Sequence, residues 1–313
     1  MNYYFAPLEG ITDEIYRSAH HEFCPGIAKY YTPFIATNQH YKYKPRDIRG
    51  ILPENNKGLT VVPQVLTNRA DQFLRLAEEL GAYGYEEINL NLGCPSATVT
   101  TKGKGSGFLA HKEELNRFLE EIYMQSPIAV SIKTRLGIEQ PEEFFDLLSI
   151  YNQYPVKELT IHARVQKDFY GNKPHMDIFK EVWKQSKNPV CYNGDIFTAS
   201  DAVNFQEQYP EIQAVMIGRG LVRNPGLVCD IRKGDKVQLR AFHDKMYHEY
   251  QELLSGDKNV LFKMKESWSY MIHSFTNYES YAKKIQKAER LLVYEDVISA
   301  LFAEQEYVTS LEK

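Results

Sequence analysis

Cysteine is scarce in this 313-residue chain: only Cys24, Cys94, Cys191 and Cys229 occur, with no CxxC pair and no metal-ligand spacing. That scatter speaks against a disulfide framework or a thiolate metal site. We expect reduced thiols, a cytoplasmic setting and no bound metal. No run of eighteen apolar residues occurs, which excludes a membrane-crossing helix. Met1 to Leu8 lacks a basic leader, so no signal peptide is expected. The first apolar run ends in Ala6-Pro7-Leu8-Glu9-Gly10 rather than GxGxxG, which removes the dinucleotide fingerprint of a doubly wound sheet. Charge imbalance is small, at −4, and averaged over the chain it argues weakly against a nucleic-acid partner.

What is present is alternation. Apolar runs at Tyr3–Ala6, Ile27–Tyr30, Thr60–Gln64, Glu87–Asn91, Ile128–Lys133, Glu158–His162, Pro189–Asn193 and Gln213–Ile217 predict eight strands. Amphipathic stretches lie between most of them. In Arg69–Leu80, Phe73, Leu74, Leu76, Ala77 and Leu80 share one helical face. The alternation predicts an α/β fold, a (β/α)8 TIM barrel. After Gly234 the strands stop, and Leu239–Leu254, Asn259–Phe275 and Tyr281–Phe302 predict a small helical bundle. We therefore expect a barrel over 1–234 and a helical domain over 235–313.

Barrels build function at the C-terminal ends of their strands. Polar residues collect there: Pro7 and Glu9, Gln64, Asn91 and Cys94, Lys133 and Arg135, His162 and Arg164, Asn193 and Asp195, Gly218 and Arg219. The pair Asn193-Gly194-Asp195 and Gly218-Arg219-Gly220 follows strands seven and eight, where barrels often hold a phosphate. Lys133 ends an apolar strand and suits either a Schiff base or a fixed charge beside an electron-rich ring. Cys94 lies between Gly93 and Pro95, which force a turn and fix the thiol on the rim. A thiol there can donate a proton, or attack as a nucleophile if a cation lowers its pKa. The glycine- and lysine-rich loop Ala97–Leu109 suits either a mobile cover over the site or a flexible glycine turn with solvated lysines, and its sequence does not choose between them.

Positive charge is local. Arg232 to Arg290 carries twelve Lys/Arg against eight Asp/Glu, and Lys42, Lys44, Arg46 and Arg49 form a second basic stretch. Such stretches on an acidic chain suggest an anionic partner.

At this point the motifs resemble those of the tRNA-dihydrouridine synthases. They are Ala6-Pro-Leu-Glu-Gly-Ile-Thr-Asp13, Asn91-Leu-Gly-Cys-Pro-Ser96, Lys102-Gly-Lys-Gly-Ser106, Ser131-Ile-Lys-Thr-Arg-Leu-Gly137, Thr160-Ile-His-Ala-Arg164, Asn193-Gly-Asp195 and Met216-Ile-Gly-Arg-Gly220. They run in family order over roughly the first 225 residues. The resemblance implies a barrel that holds FMN noncovalently, takes electrons from NADPH and reduces uridines of tRNA; a monomer is expected, although the sequence itself leaves the oligomeric state open. It implies that Pro7, Leu8, Glu9, Gln64, Lys133 and His162 hold the flavin ring, and that Asn193, Gly194, Asp195, Gly218 and Arg219 hold ribityl and phosphate. Hydride would reach carbon 6 of the uracil, Cys94 would protonate carbon 5, and Asn91 with Arg164 would grip the base. Leu8 stands where the family more often has methionine, and Ala163 where glycine is common.

The C-terminal helices interleave Lys263, Lys265, Trp268, Tyr270, Lys283, Lys284, Lys287 and Arg290. The lysines suit RNA, whereas Trp268 and Tyr270 suit core packing better than base stacking. Competing readings are a flavin barrel acting on a small pyrimidine such as dihydroorotate, a Schiff-base aldolase using Lys133, and an RNA-binding module without catalysis. The basic helical part speaks against the first of these, because a small substrate needs no such appendage.

Overall fold

A computed structural model of the chain describes residues 1–40, 42–234 and 237–308. The expected domain boundary after Gly234 abuts residues 235 and 236, which lie outside the described set, as do residues 309–313. The strands are β1 (Asn2–Phe5), β2 (Ile27–Tyr31), β3 (Ile35–Ala36), β4 (Val61–Val62), β5 (Gln64–Leu66), β6 (Glu87–Leu92), β7 (Ala129–Arg135), β8 (Leu159–His162), β9 (Val190–Asn193) and β10 (Ala214–Ile217). They form one sheet in the order β3-β5-β6-β7-β8-β9-β10-β1-β2-β4.

That order closes on itself. Pro63 has no N–H to donate, and it separates β4 from β5 within one extended run. The residues before it pair with β2, Tyr30 opposite Val61, while those after it pair with β6, Gln64 opposite Asn89. Pro33 splits β2 from β3 in the same manner. The eight predicted strands thus appear as eight runs, two of them interrupted, around a parallel barrel.

The chain divides into two compact units. The first comprises Met1–Pro7, Lys29–Asp195 and Pro210–Met216; the second comprises Leu8–Ala28, Ile196–Tyr209 and Ile217–Lys313. In the first unit the helices Ala70–Ala82, Lys112–Gln125, Phe144–Tyr151 and Met176–Gln185 turn buried aliphatic and aromatic faces inward, with Phe73, Leu76, Leu119 and Phe179 fully enclosed. At roughly 1.5–3 kcal/mol per enclosed large side chain, these faces hold the helices in place.

The barrel interior is partly polar. Glu158 accepts from Tyr4 Oη at 2.9 Å and Tyr31 Oη at 3.1 Å. Burial raises the Glu158 pKa, against the pull of Lys29.

In the second unit the helix Glu14–Phe23 packs on Leu239–Leu253, with Tyr16 edge-on to Phe242 at 5.3 Å. Lys263 donates to the Gly10 carbonyl oxygen at 2.5 Å and pairs with Asp13 at 2.8 Å, and Tyr250 Oη donates to the same carboxylate at 2.7 Å. Lys263, expected to face RNA, is therefore spent on an internal tie. Trp268 is buried and donates to Tyr294 Oη at 2.7 Å, the core role expected for it.

The expected helix Tyr281–Phe302 is two helices, Glu279–Lys287 and Leu291–Glu304. The chain turns extended at Ala288 and Arg290. Folding back lets Tyr281 and Ile285 share a core with Tyr294, Ile298 and Leu301, and Tyr281 Oη donates to Glu304 across the hairpin. One straight rod would have carried those two apolar sets apart. Among the described residues no helix is long and apolar enough to cross a membrane.

Candidate functional site

Strand register assembles the site in the first unit. Side chains on Cα partners of a parallel sheet point the same way, and positions two apart along a strand share a face. One layer sets Gln64 opposite Asn89 and Asn89 opposite Ser131. The next sets Asn91 opposite Lys133, Lys133 opposite Thr160 and Thr160 opposite Cys191. Above that, Arg135 lies opposite His162 and His162 opposite Asn193.

Amide side chains link the lower layers. Gln64 donates to Asn89 Oδ1 at 2.8 Å, Asn89 donates to Ser131 Oγ at 2.9 Å, and Asn91 donates to Gln64 Oε1 at 2.7 Å. Asn91 Oδ1 also accepts from the backbone N–H groups of Gly93 and Cys94 at 3.0 and 2.9 Å. Its carboxamide is therefore mostly engaged in shaping the turn that carries the thiol, with one N–H left over.

Cys94 is half-buried on a turn that is fixed from several sides. Its carbonyl oxygen accepts from Ser106 N at 3.1 Å and Ser106 Oγ at 2.9 Å. Arg135 Nε donates to the neighbouring Gly93 carbonyl oxygen at 2.8 Å. The same guanidinium donates to Val165 O at 2.9 Å and Phe169 O at 2.8 Å. Arg135 is 1% exposed and braces the loop after β6 against the loop after β8.

The glycine-rich loop after Cys94 forms a short helix, Ala97–Thr100, and a 3-10 turn, Gly105–Ala110. Gly105 to Leu109 are buried. At Gly105, φ is +57° and an added Cβ would fall 2.8 Å from the Cys94 carbonyl oxygen, so a larger residue would push on the thiol's own turn.

Lys133 projects from the barrel wall with part of its surface open to solvent. Burial first, and the nearby Arg135 cation second, push its pKa down to about 8. Among the described residues its ammonium makes no hydrogen bond or ion pair. Beside it, Arg164 is 1% exposed and holds His162 Nε2 at 3.1 Å, Asp195 at 2.5 Å and the Asn172 carbonyl oxygen at 2.6 Å. A guanidinium can only donate, so Nε2 of His162 presents its lone pair and the ring proton sits on Nδ1.

Asn193 donates to Met216 O at 2.8 Å. Gly194 lies against Tyr192, where an added Cβ would fall 1.9 Å from the phenol oxygen.

Of the expected residues, Pro7, Gln64, Asn91, Cys94, Lys133, His162, Arg164, Asn193, Gly194 and Asp195 belong to the first unit. Leu8, Glu9, Gly218 and Arg219 belong to the second. There, Leu8 N donates to Thr12 Oγ1 at 2.8 Å, Gly218 precedes the short helix Arg219–Arg223, and the Arg219 guanidinium lies 5.3 Å from the Phe197 ring centre. Sequence reasoning passed over Asn89, Ser131 and Ser106 as site residues. The first two were accessible by simple alternation, since each lies two positions before a residue already chosen.

A closed parallel barrel with amides, a lone lysine and a thiol at its strand ends defines an α/β-barrel enzyme class. The Dihydrouridine synthase (Dus) family profile matches residues 4–312, and the chain belongs to that family. The tRNA-dihydrouridine synthase B of Pasteurella multocida (strain Pm70) is 27% identical over 225 residues, covering 72% of this chain and 67% of the relative. A probable tRNA-dihydrouridine synthase of Staphylococcus aureus (strain COL) is 28% identical over 228 residues, covering 70% and 68%. Among solved structures, morphinone reductase aligns with a TM-score of 0.55 at 12% identity, covering 77% of this chain and 88% of that one. Histamine dehydrogenase from Rhizobium sp. 4-9 aligns with a TM-score of 0.57 at 12% identity, covering 74% and 45%. At such identities these two likenesses concern the fold alone.

Proposed function

We propose that this chain reduces uridines of tRNA to 5,6-dihydrouridine, with FMN in the barrel mouth, NADPH as electron source and Cys94 as proton donor. The observation that carries the reading is the inward lysine without an anionic partner, in the layer of Asn91 and next to the layer of His162. A cation partly withdrawn from water and without an ion pair is costly, and an electron-rich ring that becomes anionic on reduction is the partner such a site fits. The amide and imidazole donors around it suit the polar edge of a flavin.

Bound FMN, once reduced, would supply hydride to carbon 6 of the uracil. Lys133 would hold the ring by charge, with Pro7, Leu8, Glu9, Gln64 and His162 assigned beside it by family resemblance. Asn193, Gly194, Asp195, Gly218 and Arg219 are assigned together to the ribityl chain and phosphate. Asn91 would offer its remaining N–H to the base. Arg164, three of whose donors are already used, would join it while keeping His162 and Asp195 in orientation. The thiol of Cys94, held at its own N–H and carbonyl, would deliver a proton to carbon 5. Residues 1–234 are assigned to catalysis and 235–313 to tRNA, in a cytoplasmic monomer.

The test is direct. The purified chain should carry flavin absorbance and, with NADPH, form dihydrouridine in an unmodified tRNA transcript. Cys94→Ala should keep its colour and lose about 10²–10⁴-fold in turnover, the usual worth of a general acid. Full turnover in that variant ends the assignment of the proton donor, and a colourless native protein ends the flavin reading.

A further inference from the structure

In the first unit the loops that follow the second, third and fourth barrel strands are bonded to one another. Lys104 Nζ donates to the Thr37 carbonyl oxygen at 3.1 Å, joining the fourth loop to the second. Asn68 Nδ2 donates to the carbonyl oxygens of Lys102 and Gly103 at 3.1 and 3.2 Å, which brings in the third. Asn38 Oδ1 accepts from the backbone N–H groups of His40 and Lys42 at 2.9 and 3.3 Å, shaping the turn into the basic segment. On this arc Lys42, Lys44, Arg46 and Lys102 are exposed.

The arc is short of acids. From Thr37 to Gly50 there are four basic residues and one acid, Asp47, which lies 3.4 Å from Arg46. From Leu92 to His111 there are two lysines and no acid. Burial first, and the neighbouring Lys102 second, push the pKa of Lys104 down. Two residues past Lys104, Ser106 holds the carbonyl of Cys94. The arc is therefore mechanically continuous with the proposed acid.

We infer that this arc is an RNA contact separate from the C-terminal helices, in which Lys42, Lys44, Arg46 and Lys102 hold backbone phosphates of the strand that delivers the target uridine. The inference rests on the tRNA reading above and adds where the strand is gripped. Turning a base out of its stack costs a few kcal/mol, and charges close to the site act on the part of the strand being distorted. Four exposed charges spread over two loops suit an extended polyanion better than the compact phosphate of a dinucleotide.

The experiment uses the full flavin-loaded chain carrying K42Q, K44Q, R46Q and K102Q together. The slope of log binding constant against log salt for unmodified tRNA should fall by about three to four, near one per removed contact. The tRNA KM should rise at least roughly tenfold near physiological salt, with NADPH-driven flavin reduction in the absence of tRNA unchanged. That unchanged reduction also certifies folding; K42Q with K44Q alone should lower the slope by about two. An unaltered slope overturns the inference, and so does a raised KM for NADPH with tRNA binding intact. If the native chain itself binds no tRNA, the underlying reading fails first and takes the arc with it.

Discussion

Replacing Lys133 with methionine is expected to stabilise the flavin-free protein while ending its flavin chemistry. The ammonium occupies an inward strand position where burial, and then Arg135, lower its pKa from 10.5 to about 8. At neutral pH it remains largely protonated, so the native state carries a charge that it solvates poorly. The gap between 10.5 and about 8 corresponds to roughly 3 kcal/mol, and the partial access of solvent makes this a ceiling.

Because the native pKa lies below the unfolded one, the unfolded chain binds more protons between the two values. The native protein therefore gains stability from this group as pH rises from about 8 toward 10.5, and has none of that gain near neutrality. Methionine fills a similar volume without the charge. The variant should be more stable than the native protein by up to roughly 3 kcal/mol near neutral pH, and this advantage should shrink as the lysine deprotonates. Urea unfolding of both flavin-free proteins near pH 7 and near pH 10 measures the difference, and the comparison cancels the tyrosines that titrate in the same range. A variant that is several kcal/mol less stable near pH 7, with no pH dependence in the difference, refutes the reasoning.

Two more outcomes are expected. Arg135→Met removes the guanidinium donor from the carbonyl oxygens of Gly93, Val165 and Phe169, of which Val165 keeps Asp168 N at 3.3 Å, so urea unfolding should show a loss of about 2 kcal/mol or more. Turnover should fall in the same variant with flavin still bound, and an unchanged kcat would show that Cys94 does not need this brace. Changing the exposed Lys283, Lys284 and Lys287 to glutamine should reduce the salt slope of tRNA binding by about three. A slope left at its native value would move the C-terminal contact off this helix.

Much of this was legible in the sequence, for identifiable reasons. Parallel strands covered by helices read as apolar runs, and their alternation with amphipathic helices is a global pattern that a single misjudged end does not spoil. The strand ends were legible because polar residues seldom terminate an apolar run by accident so many times. What failed depended on partners distant in the chain. Nothing local says that Lys263 is taken by Asp13, about 250 residues earlier, rather than facing solvent. The break at Ala288 involves neither proline nor glycine, and it follows from where two apolar faces find a common core. The loop after Cys94 stayed undecided because a glycine reads equally as freedom or as close approach. At Gly105 the glycine answers a close approach to the Cys94 carbonyl.

The tie among Gly10, Asp13, Tyr250 and Lys263 bears on how this chain can be edited. The C-terminal helices supply the counter-charge for Asp13, the cap of helix Glu14–Phe23, so removing them leaves that carboxylate the Tyr16 N–H but neither its ammonium nor its phenol partner. A chain cut before residue 239 loses both partners at once. A lineage that exchanged one tail for another keeps this pairing only where the new tail brings a cation back to Asp13, some 250 positions upstream.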